Sequence, residues 1–502
     1  MFLMFSAASW AQVDSVALSY QKGISEADLS GHLRIIASDE FEGRETGLEG
    51  QKKCQSYLVE FYESMGLKME QDLRIQDFSL DLSEPRGVTV SKQGRTYEFL
   101  EDYYYWPAGR DGNHGGELVF SGYGIEANDY DDVDGSSVKD RVVLLWSGEP
   151  KNKSGDYLIS GKEPSDWSTD MDKKRSLIHG YGAKAMIMVW PDHAVRKKRV
   201  APYVTSKGMK LSTDPPSEEM PVLHISELMA EDLLGKKFYK KAKKMLRKGE
   251  VKEIIPGSVE ITFRRRGEQL TSSNVMAYIE GTDKKDELLV ITAHYDHIGK
   301  RGEEISNGAD DDGSGTVCAM EIAQAFIEAK KDGHPPRRSI LVLHVSGEEK
   351  GLLGSRYYTE NPLWPLESTV ANLNIDMVGR IDDKHAEMGQ EDYVYLIGAG
   401  RIDPRLQGIC EMVRTEHTAL EFDYTYDAED DPNRYYYRSD HYNFAEKGIP
   451  AAFFFSGVHE DYHMPTDTEE KIMYPKMTRI ARLIFLSAWE IANRDEALRF
   501  DQ

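Results

Sequence analysis

Six apolar runs lie between residues 274 and 455, at 274–279, 288–293, 340–345, 370–375, 393–397 and 450–455. Helical patterns separate many of them, notably 314–330 and 475–493. Short strand-length runs alternating with helices specify a mixed α/β sheet, parallel in its centre and flanked by helices. The polar residues fall where such a sheet would use them. His294 follows the run ending at Ala293, Glu348 and Glu349 follow Val345, Asp376 follows Ile375, and His463 lies in the loop beyond Phe455. Open α/β sheets bind ligands beyond the carboxyl ends of their strands. The strand pattern therefore predicts one edge where these side chains meet.

Their chemistry points to metal ions. His294, Asp311, Glu349, Asp376 and His463 supply two imidazoles and three carboxylates, a set suited to two adjacent Zn²⁺ ions that share one carboxylate. Asp310, Asp311 and Asp312 stand together before a helix. Capping a helix needs one acid; three in a row repel, and a dication offsets the repulsion. The middle one, Asp311, is expected to bridge. Gly308, Gly313 and Gly315 permit tight backbone paths there. Glu348 is left over beside a ligand and is suited to take a proton from a water. Asp296, two residues beyond His294, shares its side if the strand persists and would orient the imidazole. Each residue alone has an ordinary structural reading; all of them at strand ends point to a hydrolase.

The remaining sequence sets the boundaries. Residues 25–66 read as two helices around a loop at 38–44, with Ser25 and Asp28 as a cap, and 68–80 as extended. From about 83 to 267 the signals are short strands and turns, with a Lys-rich helix at 228–247, and this stretch reads as an inserted β-rich domain. The 502 residues carry 86 acidic and 62 basic side chains, net −24. That charge argues against nucleic acid or an anionic membrane as the main partner. The three cysteines have no paired spacing, so a thiolate site is not expected. Residues 1–11 read as a clipped export signal, implying a secreted or periplasmic protein. No other stretch is apolar enough to span a bilayer; oligomeric state is not readable.

The segments HYDH (294–297), NGADDDGSG (307–315), SGEE (346–349), NIDM (374–377) and YHMPTDT (462–468) resemble those of the di-zinc aminopeptidase and glutamate carboxypeptidase family. The resemblance covers 25–80 and 274–490. Residues 83–267 resemble a protease-associated domain, most clearly at GELVFSGYGI (116–125). The resemblance implies a zinc exopeptidase-like domain from 12–82 and 268–502, interrupted by the insert. It implies one zinc on His294 and Asp376, the other on Glu349 and His463, and Asp311 between them. Glu348 would be the general base and Asp296 the partner of His294. A cis peptide at Asp311–Asp312 and an oxyanion-stabilising Tyr436, flanked by Tyr435 and Tyr437, also follow from it. The expected substrate is a peptide cut at its N-terminus. Alternatives are a carboxypeptidase using Arg434 and Arg438, with structural ion pairing of these arginines to acids such as Asp440 favoured. A receptor-like binding protein and a single-zinc glutaminyl cyclase are further readings. Manganese or cobalt can replace zinc in such carboxylate-rich sites.

Overall fold

A computed structural model describes residues 14–106, 110–127, 130–205, 207–215, 218–249, 254–264 and 266–498. The export signal read at 1–11 lies outside the described residues. The chain divides into two compact units: one takes the residues up to Leu80 and those from Leu270 onward, the other Asp81–Gln269.

The first unit is built on a mixed sheet. Its strands are β1 (Leu73–Ser83), β2 (Arg266–Ile279), β3 (Lys284–His294), β4 (Arg338–Val345), β5 (Thr369–Ile375), β6 (Tyr393–Ile397), β7 (Glu421–Asp423) and β8 (Ala451–Phe455). They lie in the order β1-β2-β4-β3-β5-β8-β6-β7. The central four, β4, β3, β5 and β8, are parallel. β2 runs antiparallel to β4, and β6 antiparallel to β8. The fold is thus the expected α/β class with a parallel centre. β4 and β5 are buried at every position, as is β3 from Leu288 onward. That is why β3 and β4 read as largely apolar runs rather than as strict alternation.

Helices α1 (Glu26–Ile36), α2 (Glu49–Ser64), α3 (Gly315–Lys331), α4 (Pro404–His417) and α5 (Tyr474–Asn493) accompany the sheet. Ser25 caps α1, its Oγ accepting from the Asp28 amide at 3.2 Å. Pro475 sits in the first turn of α5, where no amide is needed. Phe326 of α3 packs between Phe485 and Trp489 of α5, with ring centroids 4.8 and 5.6 Å away. Burying a side chain of this kind contributes about 1.5–3 kcal/mol. No described helix is long and apolar enough to cross a membrane.

The second unit has its own sheet and cores. Its strands Gly116–Phe120, Val142–Trp146, Ala185–Val189 and Val222–Ile225 are parallel. The Lys-rich segment is two helices, Glu227–Leu234 and Lys236–Lys248, where one was expected. Gly235 between them has φ 75°, which ends the first helix.

His344 on β4 makes stability sensitive to acid. It is fully buried, its Nε2 2.7 Å from the Tyr62 hydroxyl, and burial pushes its pKa down to about 3. The unfolded chain takes up this proton near ~6.5. The native state therefore binds fewer protons in between, and stability falls as pH drops from about 6.5 toward 3. Going from pH 7 to pH 5 should cost about 2 kcal/mol through this residue. Denaturant unfolding of His344→Gln should show a correspondingly flatter pH dependence; an unchanged slope would reject the assignment.

Candidate metal centre

The four parallel strands end side by side, and their last residues lead into the candidate ligands. β3 ends on His294 itself, and β5 hands over directly to Asp376. β4 leads through Ser346 and Gly347 into the three-residue turn Glu348–Lys350. β8 leads into the loop that carries His463, and the turn before α3 brings Asp311. The five predicted ligands therefore come from five separate segments.

They converge. Nε2 of His294 lies 3.3 Å from Asp311 Oδ1 and 3.7 Å from Asp376 Oδ1. Asp311 Oδ2 lies 3.1 Å from His463 Nε2, which is 3.0 Å from Glu349 Oε2. Asp311 thus turns one oxygen to each of two clusters. Hydrogen bonding does not explain the approach. His294 Nε2, His463 Nε2, Asp311 Oδ2 and Glu349 Oε1 are buried and have no hydrogen-bond partner. Donors about 2.0–2.1 Å from one tetrahedral ion stand about 3.3 Å apart, which is the spacing seen here. Among the described residues, two groups can hold a cation: His294 with Asp311 and Asp376, and His297 with Asp311 and Glu349. His297, quoted in the sequence motif but given no role there, is the addition.

The surroundings fix these donors. Nδ1 of His294 donates to the Asp296 carbonyl at 3.0 Å, which leaves the Nε2 lone pair facing the acids. The orientation expected from the Asp296 side chain thus comes from its main chain. Its carboxylate sits 3.8 Å from the ring and instead accepts from Thr46 Oγ1 at 2.6 Å and the Glu348 amide at 3.3 Å. The outer two acids of the triplet are satisfied without a cation. Asp312 accepts from the amides of His294, Gly315 and Met377 at 3.2, 2.8 and 3.1 Å. Asp310 accepts from the Gly379 amide at 2.6 Å and lies 3.2 Å from His459 Nε2. Only Asp311 is left for the cluster, and its peptide bond to Asp312 is cis, as the resemblance implied. Gly315 is required here, because a Cβ would fall 2.4 Å from the Asp312 carboxylate and 2.5 Å from the Ile375 carbonyl. Asp376 Oδ2 accepts from Ser439 at 2.7 Å, Ser439 from Asn374 at 2.8 Å, and Asn374 from Thr292 at 2.6 Å. Arg44, wholly buried, donates to the carbonyls of Tyr295, Asn307 and Gly308 at 3.0, 2.7 and 2.8 Å, tying both ligand loops together.

The electrostatics divide the acids. Burial would raise the Asp311 carboxyl, but the imidazoles of His294, His463 and His297 hold it well below its ordinary value. Burial pushes Glu348 well up, and the charges of Asp376 and Glu349 add to that. Asp440 is pushed up to about 7 by burial.

A small cavity opens onto Asp311, Glu348 and Asp376, walled by Met377, Phe453, Phe455 and Val458 and reached by Tyr435, Arg438 and Tyr462. Tyr436, the expected oxyanion-stabilising residue, is held from elsewhere in the chain. Its ring lies under the Arg401 guanidinium at 3.8 Å and against Gly398, and it packs on the cluster of Met377, Phe453 and Phe455 behind the cavity. One turn, Tyr435–Tyr437, carries all three tyrosines, so neighbours point apart. Arg438 is not paired with Asp440, whose carboxylate accepts from Ser355; its guanidinium lies 4.9 Å over the Tyr435 ring.

Known proteins resemble this chain to different extents. The model of peptidase family M28 matches residues 274–488. A probable leucine aminopeptidase of Trichophyton verrucosum is 30% identical over 225 residues, 44% of this chain and 57% of that protein. Aminopeptidase YwaD of Bacillus subtilis is 28% identical over 240 residues, 45% of this chain and 46% of that protein. The chain thus spans about half the length of these curated relatives. Among solved structures, an aminopeptidase from Aneurinibacillus sp. strain AM-1 superposes with a TM-score of 0.54 at 19% identity, covering 97% of this chain and 98% of that one. The zinc aminopeptidase BSAP from Bacillus subtilis gives 0.51 at 18%, covering 95% and 98%. At such identities the structural likeness speaks for the fold, while the match to the model of peptidase family M28 spans all five predicted ligands, so the segment 274–488 is similar to that family.

Proposed function

We propose that the chain is a two-zinc exopeptidase, an aminopeptidase that removes residues from the N-terminus of peptides. The observation that carries this reading is the set of buried, unpartnered nitrogen and oxygen atoms around Asp311. His294, Asp376 and Asp311 would hold one zinc, and Asp311, Glu349 and His463 the other. Zinc bound there supplies a Lewis acid for the scissile carbonyl and lowers the pKa of water.

The chain's own residues do the rest. Glu348 takes the proton of the attacking water and returns it to the leaving amine. Tyr462, on the cavity wall beside the ligands, is the phenol suited to donate to the developing oxyanion, in place of Tyr436. Met377, Phe453, Phe455 and Val458 exclude water and offer an apolar seat for the substrate side chain. We also assign the Asp81–Gln269 unit as a protease-associated domain.

Arg438 favours a second reading. It lines the cavity and, among the described residues, makes no ion pair, so it is available to a substrate carboxylate. A carboxypeptidase needs such a group. Purified protein assayed on aminoacyl chromogenic amides and on C-terminal glutamyl peptides separates the two. The expected result is cleavage of the amides only, abolished by a chelator and restored by zinc. Cleavage of the glutamyl peptides alone would select the second reading. Absence of bound metal and of both activities would remove both.

A further inference from the structure

We propose that His297 is a fourth protein ligand at the second metal position, which makes the two positions chemically unequal. One ion is then held by two imidazoles and two carboxylates, His297, His463, Glu349 and Asp311. The other has one imidazole, His294, with Asp311 and Asp376. The proposal rests on the two-zinc reading above and adds an asymmetry to it.

Three observations support it. First, His297 is wholly buried and neither ring nitrogen has a hydrogen-bond partner. A dry imidazole nitrogen left unused is costly unless something absent from the protein atoms satisfies it, and a cation beside Glu349 and Asp311 would meet Nδ1. Second, its Nδ1 lies 2.8 Å from Glu349 Oε1 and 3.8 Å from Asp311 Oδ2. At 2.8 Å a well-aimed pair would hydrogen-bond, yet both Nδ1 and Oε1 are unpartnered. Two donors that approach closely without pointing at each other are what two ligands of one cation look like. Third, the rings of His297 and His463 are 5.8 Å apart at 71°. Imidazoles on one tetrahedral ion have centroids about 5–6 Å apart.

The backbone is arranged to keep the ring there. The His297 amide donates to the Arg44 carbonyl at 3.0 Å. Residue 308 has to be glycine, since a Cβ would lie 2.5 Å from the His297 ring. Both the motif's second histidine and the glycine that makes room for it are therefore part of one device. The nitrogen-rich position should hold zinc, cobalt or nickel most tightly, while the carboxylate-rich position should accept manganese more readily.

The test uses the full chain, stripped of metal and titrated with Co²⁺. Visible absorption reports coordination, and mass spectrometry after desalting reports stoichiometry. Wild type should bind two equivalents, one of them surviving desalting in excess Mn²⁺. His297→Ala and His297→Asn should bind the tight equivalent more than ~100-fold more weakly, beyond the loss expected of an outer contact, and with a changed cobalt band. Asparagine is included because it stays polar and nearly fills the site should alanine misfold; thermal unfolding of both variants checks this. An unchanged band in a folded variant overturns the proposal, whether affinity is kept or falls ~10-fold as for a residue that merely steadies Glu349. If wild type itself takes up no metal, the two-zinc reading fails and this proposal with it.

Discussion

Asp311→Asn should empty both metal positions and leave the fold standing. The swap keeps volume and shape, and the Asp311 main-chain amide can still donate to the Asp467 carboxylate, at 3.2 Å. What changes is the chemistry of the two side-chain oxygens. One faces His294 Nε2 at 3.3 Å and the other faces His463 Nε2 at 3.1 Å. An asparagine offers a single acceptor and turns an NH₂ donor toward the other cluster. It also withdraws the one negative charge common to both. Metal content after desalting should fall to near zero, and amide hydrolysis should fall to background. Circular dichroism should be unchanged. Two retained zinc ions would refute the shared carboxylate, and a collapsed spectrum would be answered by Asp311→Glu, which keeps the charge but lengthens the arm.

Much of this site is legible in the sequence because it sits on a sheet. Strand period and burial fix where β3, β4 and β5 end, so His294, Glu348, Glu349 and Asp376 are placed by the same pattern that places the core. The parallel order of β4, β3, β5 and β8 then aligns those ends. His297 was not legible for the converse reason. Strand parity would send it away from His294, but β3 stops at His294 and the chain turns, pinned by Arg44. A residue just past a strand end escapes the rule that predicts its neighbours.

The tyrosines teach the same lesson. Which of Tyr435, Tyr436 and Tyr437 faces the cavity depends on Arg401 and Gly398, which occupy Tyr436 from elsewhere in the chain. Tyr462 was visible beside His463 but carried no local signal that its ring would line the wall. The aspartate triplet was half legible. Repulsion among three acids argued for a cation, yet Asp310 and Asp312 are met by amides that only the folded turn supplies. Backbone amides have no side-chain signature, so their part in balancing charge stays hidden until the loop is seen.

Glu348→Gln should abolish turnover while sparing metal. Glu348 and Glu349 are adjacent but do different things. Glu349 lies between two imidazoles, 3.0 Å from His463 and 2.8 Å from His297. Glu348 stands 3.9 Å from His294 Nε2, keeps 12% of its side chain exposed, and lines the cavity. It is therefore within a water's reach of the cluster without belonging to either ligand group. Glutamine matches its shape and its acceptor oxygen but cannot take up a proton at working pH. Losing a general base of this kind costs ~10²–10⁴ in kcat. KM should change little, because the apolar walls that seat the substrate are untouched. Mass spectrometry should find wild-type zinc content in the variant. Near-normal kcat would assign the proton transfer elsewhere, with Asp440, buried and pushed up to about 7, the next acid to test. Lost zinc would mean that Glu348 ligates, and the division of labour between the two glutamates would have to be reversed.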